Sequence, residues 1–181
     1  MCQQREEHVM IPDSISEGLK ILFIGYNPSL RSGEVGHNYA GPGNRFWKLL
    51  RDAGLTDRLV SPTEDRDLIR IGYGFTNIVA RPTRRADEIT KEEYAEGRLL
   101  LAEKLRRYRP RVACFVGKGV YEQYSGRKKI GWGVQPEPTV EGVIDFVAPS
   151  SSGLVTIPYE EIARIYRGLM SVVDGNGECS G

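Results

Sequence analysis

The chain has 181 residues, of which 40% are hydrophobic and 27% are charged, and its formal net charge is +1. This length and composition fit one domain with a substantial core and make two domains improbable. The chain contains no apolar run of 18 residues and its first residues lack the apolar core of a signal peptide, so we expect a cytoplasmic protein without a membrane span. The near-neutral charge neither indicates nor excludes nucleic acid, since a binding groove needs only a local basic face.

Strand and helix patterns alternate along the chain. Short β-branched and aromatic runs that end in glycine or proline predict buried strands, and apolar residues at helical spacing predict helices. In chain order these are a strand over 20–25, helices over 44–53 and 91–108, strands over 111–117 and 143–149, and a helix over 158–172. Segments 68–79 and 128–134 predict further extended or irregular pieces. The alternation predicts an α/β domain with a mostly parallel sheet.

We divide the chain into an N-terminal extension (1–18), one folded domain (19–173) and a disordered tail (174–181) with the sequence DGNGECSG. Cys2, Cys114 and Cys179 lie far apart without a CxxC pair, which argues against a zinc ribbon, an iron–sulfur cluster and a disulfide framework. Cys114 is interpreted as a buried strand residue. We therefore predict no metal and no cofactor.

Two loops that follow predicted strands are rich in polar residues and glycine. They are GYNPSLRSGEVGHNYAGPGNRFW (25–47) and APSSSGLVTIP (148–158). Ligands of such sheets bind beyond the carboxyl ends of the strands, so we expect the two loops to meet there. This arrangement would bring Asn27 close to three serines.

The residues alone leave several interpretations of these loops open. GYNPS matches neither GxGxxG nor GxxxxGK[ST], which sets a Walker-type ATPase aside and argues against a nucleotide-binding Rossmann-like enzyme. A serine hydrolase would lack GxSxG and depend on His37, and the zinc deaminase signature is absent. Asn27, before Pro28, is by itself more typical of a turn than of a catalytic site, and the serines are typical of a polar loop or helix cap.

Four segments decide among these interpretations by resemblance. GYNPS, GHNYAGPGNRFW, GFTNIVARPT and VAPSSSGL, in this order, resemble the mismatch-specific uracil/thymine-DNA glycosylases of the uracil-DNA glycosylase superfamily. The resemblance covers about residues 20–169. It implies a single-domain, three-layer α/β/α fold, double-stranded DNA with a mismatched or damaged base as the partner, and a monomer of bacterial type that associates with the nucleoid when it acts.

The resemblance also implies roles for individual residues. Asn27 would position the attacking water, Tyr39 would stack on the flipped base, and Asn77 would contact the edge of the base. The implied base pocket comprises Gly25, Tyr26, Ser29, Tyr39, Asn77 and Ser150. The implied wedge and phosphate contacts comprise Ser151, Ser152, Gly153 and Leu154. Because basic side chains bind phosphate, we add Lys118 and Arg45 as phosphate partners, with further candidates in Arg81, Arg84 and Arg85.

The residue types fit such chemistry. An amide does not titrate, so Asn27 can orient water but cannot act as a general base. We therefore expect the glycosidic bond to be largely broken before water adds, with uracil preferred to thymine because it leaves as the better anion. No lysine nucleophile is evident, although Lys118 is the nearest candidate, so we expect an abasic site without strand cleavage.

Three positions depart from the family's usual residues. Tyr26 stands for isoleucine and Ser29 for glycine in the first motif, and Leu154 stands for the arginine at the wedge of vertebrate-type thymine glycosylases. A bulky Tyr26 would narrow the pocket or re-aim the water, and Glu34 in the same loop would be able to assist that water. The sequence thus predicts a glycosylase for uracil, and for thymine as a further candidate, in mismatches with guanine. Alternatives are a nucleic-acid-binding module of the same fold without catalysis and a glycosylase with shifted specificity, such as one for deaminated purines.

Overall fold

The elements of the protein are taken from a computed structural model, which describes residues 10–175. The strands are β1 (Ile21–Gly25), β2 (Tyr73–Asn77), β3 (Val112–Val116), β4 (Gly133–Val134) and β5 (Ile144–Ala148). The helices are α1 (Leu30–Val35), α2 (Phe46–Asp52), α3 (Lys91–Tyr108), α4 (Lys118–Ser125) and α5 (Tyr159–Asp174), with two 3-10 helices at Pro62–Ile71 and Ala86–Glu88. The tail predicted over 174–181 begins one residue too early, because Asp174 still belongs to α5, and from 176 onward it lies outside the described residues.

The five strands form one sheet in the order β2-β1-β3-β5-β4. All neighbouring pairs are parallel except β4 and β5, which are antiparallel. The register pairs Gly25 of β1 with Asn77 of β2, so the ends of these two strands lie side by side. The predicted α/β fold with a mostly parallel sheet is confirmed.

Two apolar cores cover the two faces of this sheet. Every residue of β1 is buried, as expected for a strand covered on both sides. Ile21 and Phe23 belong to the core under α2 and α5. Leu22 and Ile24 belong to the core under α3 and α4. The sheet is therefore the middle of three layers, and Cys114 of β3 is buried within it as predicted.

The helix predictions were only partly correct. Helix α3 has the predicted bounds, because Thr90 caps it and Glu93 completes the capping box. Helix α1 was missed, because six residues that include a glycine give no readable period. The first part of segment 68–79 is the end of a 3-10 helix, and Gly72 in the left-handed region (φ 89°) separates that helix from β2.

The described part of the N-terminal extension packs against the outer edge of β2. Ser14 exchanges backbone hydrogen bonds with Phe75, at 3.0 and 2.8 Å. Gly74 permits this approach, because a Cβ there would lie 2.4 Å from the Ser14 carbonyl oxygen. The extension thereby satisfies part of an edge strand that would otherwise be open.

None of the helices within residues 10–175 combines the length and the apolar character that crossing a membrane requires.

Candidate active site

An open cavity of about 210 Å³ lies at the carboxyl ends of β1 and β2. It is smaller than the roughly 300–1,000 Å³ pockets that hold drug-sized ligands, so its size suits a single base. The two polar loops meet here as predicted, and residues 83–86 close a third side. The lining residues are Ile11, Gly25, Tyr26, Asn27, Pro28, Ser29, Ser32, Asn38, Tyr39, Asn44, Asn77, Thr83, Arg84, Arg85, Ala86, Val116, Ser150 and Ser151.

The hydrogen bonds of Asn27 fix the orientation of its amide. Its Nδ2 donates to the Arg81 carbonyl oxygen at 2.7 Å and to Thr83 Oγ1 at 2.8 Å. A carbonyl oxygen can only accept, so the group facing it must be the NH₂. The Thr83 hydroxyl donates a hydrogen bond to the Arg85 carbonyl oxygen at 2.7 Å. Its oxygen therefore accepts the hydrogen bond from Asn27. Asn27 Oδ1 is therefore left as an acceptor beside the cavity.

Gly25 allows two predicted base contacts to converge. A Cβ at this position would lie 2.7 Å from Asn77 Oδ1 and 3.3 Å from Tyr39 Oη. Only a residue without a side chain leaves both polar atoms room at the end of β1. The structure thus brings Asn77 and Tyr39 together over Gly25, as the sequence predicts.

Tyr39 is held by packing on one face and by its backbone. Its ring stacks on Phe46 with centroids 4.0 Å apart and planes 14° apart. Its φ is 51°, in the left-handed region that disfavours a non-glycine residue. Burial raises the pKa of its hydroxyl far above the usual value, so the group stays neutral. The result is a rigid, uncharged aromatic wall.

A buried carboxylate, Asp65, anchors the residues before Tyr39. Asp65 is fully buried and accepts from the Asn38 backbone N–H at 2.8 Å and from Asn38 Nδ2 at 3.0 Å. Its other oxygen lies 2.9 Å from His37 Nδ1 and accepts from the Arg66 backbone N–H at 2.8 Å. Four partners compensate for the burial of this charge. Sequence reasoning missed Asp65, because it lies in a 3-10 helix of mostly polar residues.

The serine loop presents an exposed apolar tip. Ser150 and Ser151 line the cavity, whereas Ser152, Gly153 and Leu154 lie beyond its rim. Leu154 is 92% exposed, so its side chain is not folded onto the core. Gly153 lies close to the glycine-rich first loop, since a Cβ there would be 2.8 Å from the Gly43 carbonyl oxygen.

Arg45 and Lys118 are engaged with protein groups. Arg45 Nη2 donates to the Ser152 carbonyl oxygen at 3.0 Å, and the Arg45 backbone N–H donates to the Ser151 carbonyl oxygen at 2.9 Å. The ammonium of Lys118 lies 4.1 Å from the centre of the Trp132 ring, a cation–π distance. Neither side chain lines the cavity. As the structure stands, Arg45 joins the two loops of the site.

Tyr26 and Ser29, the two residues of the first motif that differ from the family's usual residues, lie in different surroundings. Ser29 Oγ caps α1 by accepting from the Ser32 backbone N–H at 3.1 Å. The Tyr26 ring packs edge to face against Tyr94, with centroids 6.4 Å apart, and its hydroxyl meets the backbone at Gly119. These ring contacts lie on the α3–α4 side of the sheet, while Tyr26 also lines the cavity, so the narrowing of the pocket by this residue stays a prediction. Burial, with smaller effects from Tyr94 and Glu122, raises the pKa of Tyr26 to about 12.

Two further candidates lie outside the cavity. Glu34 is exposed on α1 and pairs with Arg31 at 3.5 Å, so the structure does not bring it to the proposed water. His37 is turned toward Asp65. Among residues 10–175, the cavity lining contains no carboxylate, imidazole, thiol or ammonium group. The same residues contain no cluster of three potential metal-binding side chains.

The arginines beside the cavity differ in their pairing. Arg81 pairs with Glu93 at 2.6 Å and Arg85 with Asp87 at 2.5 Å. Arg84 is exposed, lines the cavity and forms no ion pair within the described part of the chain. The neighbouring residue Thr83 was not predicted as a site residue, because its role becomes visible only through its hydrogen bond with Asn27.

Comparison with known proteins identifies the family and supports the fold. Residues 12–169 match the family model of the uracil DNA glycosylase superfamily. The fold is similar to the solution NMR structure of a Methanosarcina acetivorans protein that is provisionally assigned as a uracil DNA glycosylase. The TM-score is 0.54 and the sequences are 21% identical, with 90% of this chain and 98% of the other covered.

Proposed function

The chain belongs to the uracil DNA glycosylase superfamily, and from this premise we propose that it is a monofunctional DNA glycosylase for uracil in mismatches with guanine. The substrate is double-stranded DNA and the product is an abasic site. Thymine in the same context is the second candidate base.

The orientation of Asn27 is the observation that carries this proposal. Its Nδ2 is committed to Arg81 and Thr83, so its Oδ1 is available to accept a hydrogen bond from a water molecule. Within residues 10–175, the surrounding lining lacks a group that can remove a proton from that water. Such a site suits a reaction in which bond breaking runs ahead of water attack, because a cationic sugar needs only a positioned, neutral nucleophile.

The proposed steps begin with extrusion of the base. Unstacking and unpairing cost a few kcal/mol and cost least for a mispaired base, which favours mismatches before any contact in the pocket. Leu154 fills the gap that the base leaves in the duplex. Within the cavity, the base stacks on Tyr39, and the Asn77 amide offers one donor and one acceptor to the pyrimidine edge.

The C1′–N1 bond then breaks, and its electron pair stays on N1 of the departing base. Fixed dipoles of the first loop stabilise that anion. The water held by Asn27 adds to C1′ and loses a proton to solvent. Because the cavity lining of the described residues offers no amine, no imine with the sugar forms and the strand stays intact. Uracil reacts faster than thymine because it is the better leaving anion.

Labelled duplexes with G·U, G·T or A·U pairs, and a single strand with uracil, test the proposal after alkali treatment. We expect alkali-labile product from G·U first and loss of that product in Asn27→Ala by about a hundredfold, as for a displaced reacting group. Glu34→Gln is the matched control in the same loop and should react like the wild type. Binding of every duplex without any product would overturn the proposal and favour a binding module.

A further inference from the structure

A second groove of about 750 Å³ adjoins the base cavity, and Tyr26 and Ala86 line both. It runs over the N-terminal half of α3 toward α4. Its lining includes Tyr26, Tyr94 and Ile89 and the charged residues Asp87, Lys91 and Arg98. None of the steps described above uses this groove.

Tyr26 forms the wall between the two spaces. Its backbone continues the first loop beside Asn27, while its ring packs against Tyr94 and its hydroxyl against Gly119. The residue at which this sequence departs from the usual isoleucine therefore adds an aromatic ring to the groove. Ile89 and Ala95 add apolar surface next to it.

The free charges of the groove are positive. Lys91 and Arg98 are exposed and form no ion pair within residues 10–175. The acid in the lining, Asp87, is paired with Arg85. On α4, Glu122 is paired with Lys128. An aromatic and apolar floor with two free cations suits a planar, anionic ligand, and grooves of this kind track single-stranded nucleic acid.

We propose that this groove binds an unpaired nucleotide of the strand that carries the flipped base. The shared wall at Tyr26 makes the two spaces neighbours, so one strand can occupy both. The neighbours of a flipped base in a duplex remain stacked in the helix, whereas an unpaired strand can turn a second base outward. The groove thus extends the proposed function to frayed or single-stranded DNA, and it depends on that function only for the choice of DNA as substrate.

Binding measurements test the groove without requiring catalysis. Fluorescence anisotropy would measure the affinity of the wild type and of Arg98→Ala for two labelled DNAs, a single strand and the matching G·U duplex. Each DNA carries an uncleavable deoxyuridine analogue. The loss of a phosphate partner beside a stacked base should weaken single-strand binding about tenfold and change duplex binding less than about twofold. Arg106→Ala, two turns further along α3 and outside the groove, is the matched control and should change neither affinity.

A second variant, Tyr26→Ile, removes the ring and should weaken single-strand binding by a similar factor. Equal losses on both DNAs, a loss on the duplex alone, or no loss in Arg98→Ala would overturn the groove assignment. A wild-type protein that binds both DNAs but excises no base would refute the proposed function alone. The selective loss in Arg98→Ala would then still support the groove.

Discussion

The carboxylate of Asp65 accepts a hydrogen bond from the backbone N–H of Asn38 at 2.8 Å, across 27 positions of the chain. Asn38 immediately precedes Tyr39, whose φ of 51° carries a steric cost. On the other side, the Ala40 N–H donates to Ser32 Oγ at 3.0 Å. Tyr39 is therefore fixed between two polar anchors, and we infer that Asp65 positions the stacking face without touching the base.

Asp65→Asn should weaken that anchor. The new amide would turn a donor toward groups that already donate, and each unsatisfied buried group costs about 1–3 kcal/mol. We expect the free energy of unfolding in urea to fall by roughly 2–3 kcal/mol, and amide exchange at Asn38 and Ala40 to accelerate. Asp67→Asn, an exposed acid of the same 3-10 helix, should change the unfolding free energy by less than about 0.5 kcal/mol. Unchanged exchange at Asn38 would contradict the assigned role.

Thr83 should affect the rate through Asn27. Thr83→Val keeps the shape but removes the oxygen that accepts from Asn27 Nδ2. Loss of one of two orienting bonds, worth about 1–1.5 kcal/mol, should slow single-turnover excision roughly tenfold at unchanged DNA affinity. Thr83→Ser retains the hydroxyl and should restore most of the rate. A wild-type rate in Thr83→Val would show that Arg81 alone suffices to hold the amide.

The framework of the fold was readable from the sequence because its signals are local. The bounds of α3 follow from Thr90, Glu93 and the helical spacing of apolar residues, and the buried strands follow from short β-branched runs. The convergence of Asn27 with the serine loop followed from the rule that parallel strands place their carboxyl ends at one edge.

The parts of the site that the sequence did not reveal depend on contacts between distant residues. Asp65 resembles any surface acid until its partners are seen, and the sequence offers no sign of the bond between Arg45 and Ser152. The Tyr26 ring points toward Gly119 because the absence of a side chain there leaves room for the Tyr26 hydroxyl. The two residues are 93 positions apart in the chain. Long-range packing, rather than residue type, decides these roles.

The pH dependence should separate catalysis from stability. The cavity lining of the described residues contains no group that titrates near neutrality, so single-turnover excision should stay flat from about pH 6 to about pH 9. A bell-shaped profile in that range would contradict a mechanism without a general base.

Stability should fall above about pH 10. Burial raises the pKa of Tyr26 to about 12 and raises that of Tyr121 further, whereas an unfolded tyrosine titrates near 10. Between these values the folded protein keeps protons that the unfolded chain has lost, so the free energy of unfolding decreases as the pH rises. Urea unfolding at several pH values measures the slope. Tyr26→Phe, which lacks the titrating hydroxyl, should show a shallower slope than the wild type.

We expect Leu154 to affect excision from duplex DNA, but neither the stability of the protein nor excision from a single strand. A leucine side chain that is 92% exposed contributes little to the core, so Leu154→Ala should change the free energy of unfolding by less than about 0.5 kcal/mol. As a wedge, it should offset part of the few kcal/mol that unstacking costs, so its truncation should slow excision from a G·U duplex roughly tenfold. Excision from single-stranded uracil needs no wedge and should keep its rate. Leu59→Ala, a 53% exposed leucine outside the cavity lining, is the control and should leave both rates unchanged. An equal loss on single-stranded and duplex substrates in Leu154→Ala would place the leucine in general DNA binding and not in the duplex opening proposed for it.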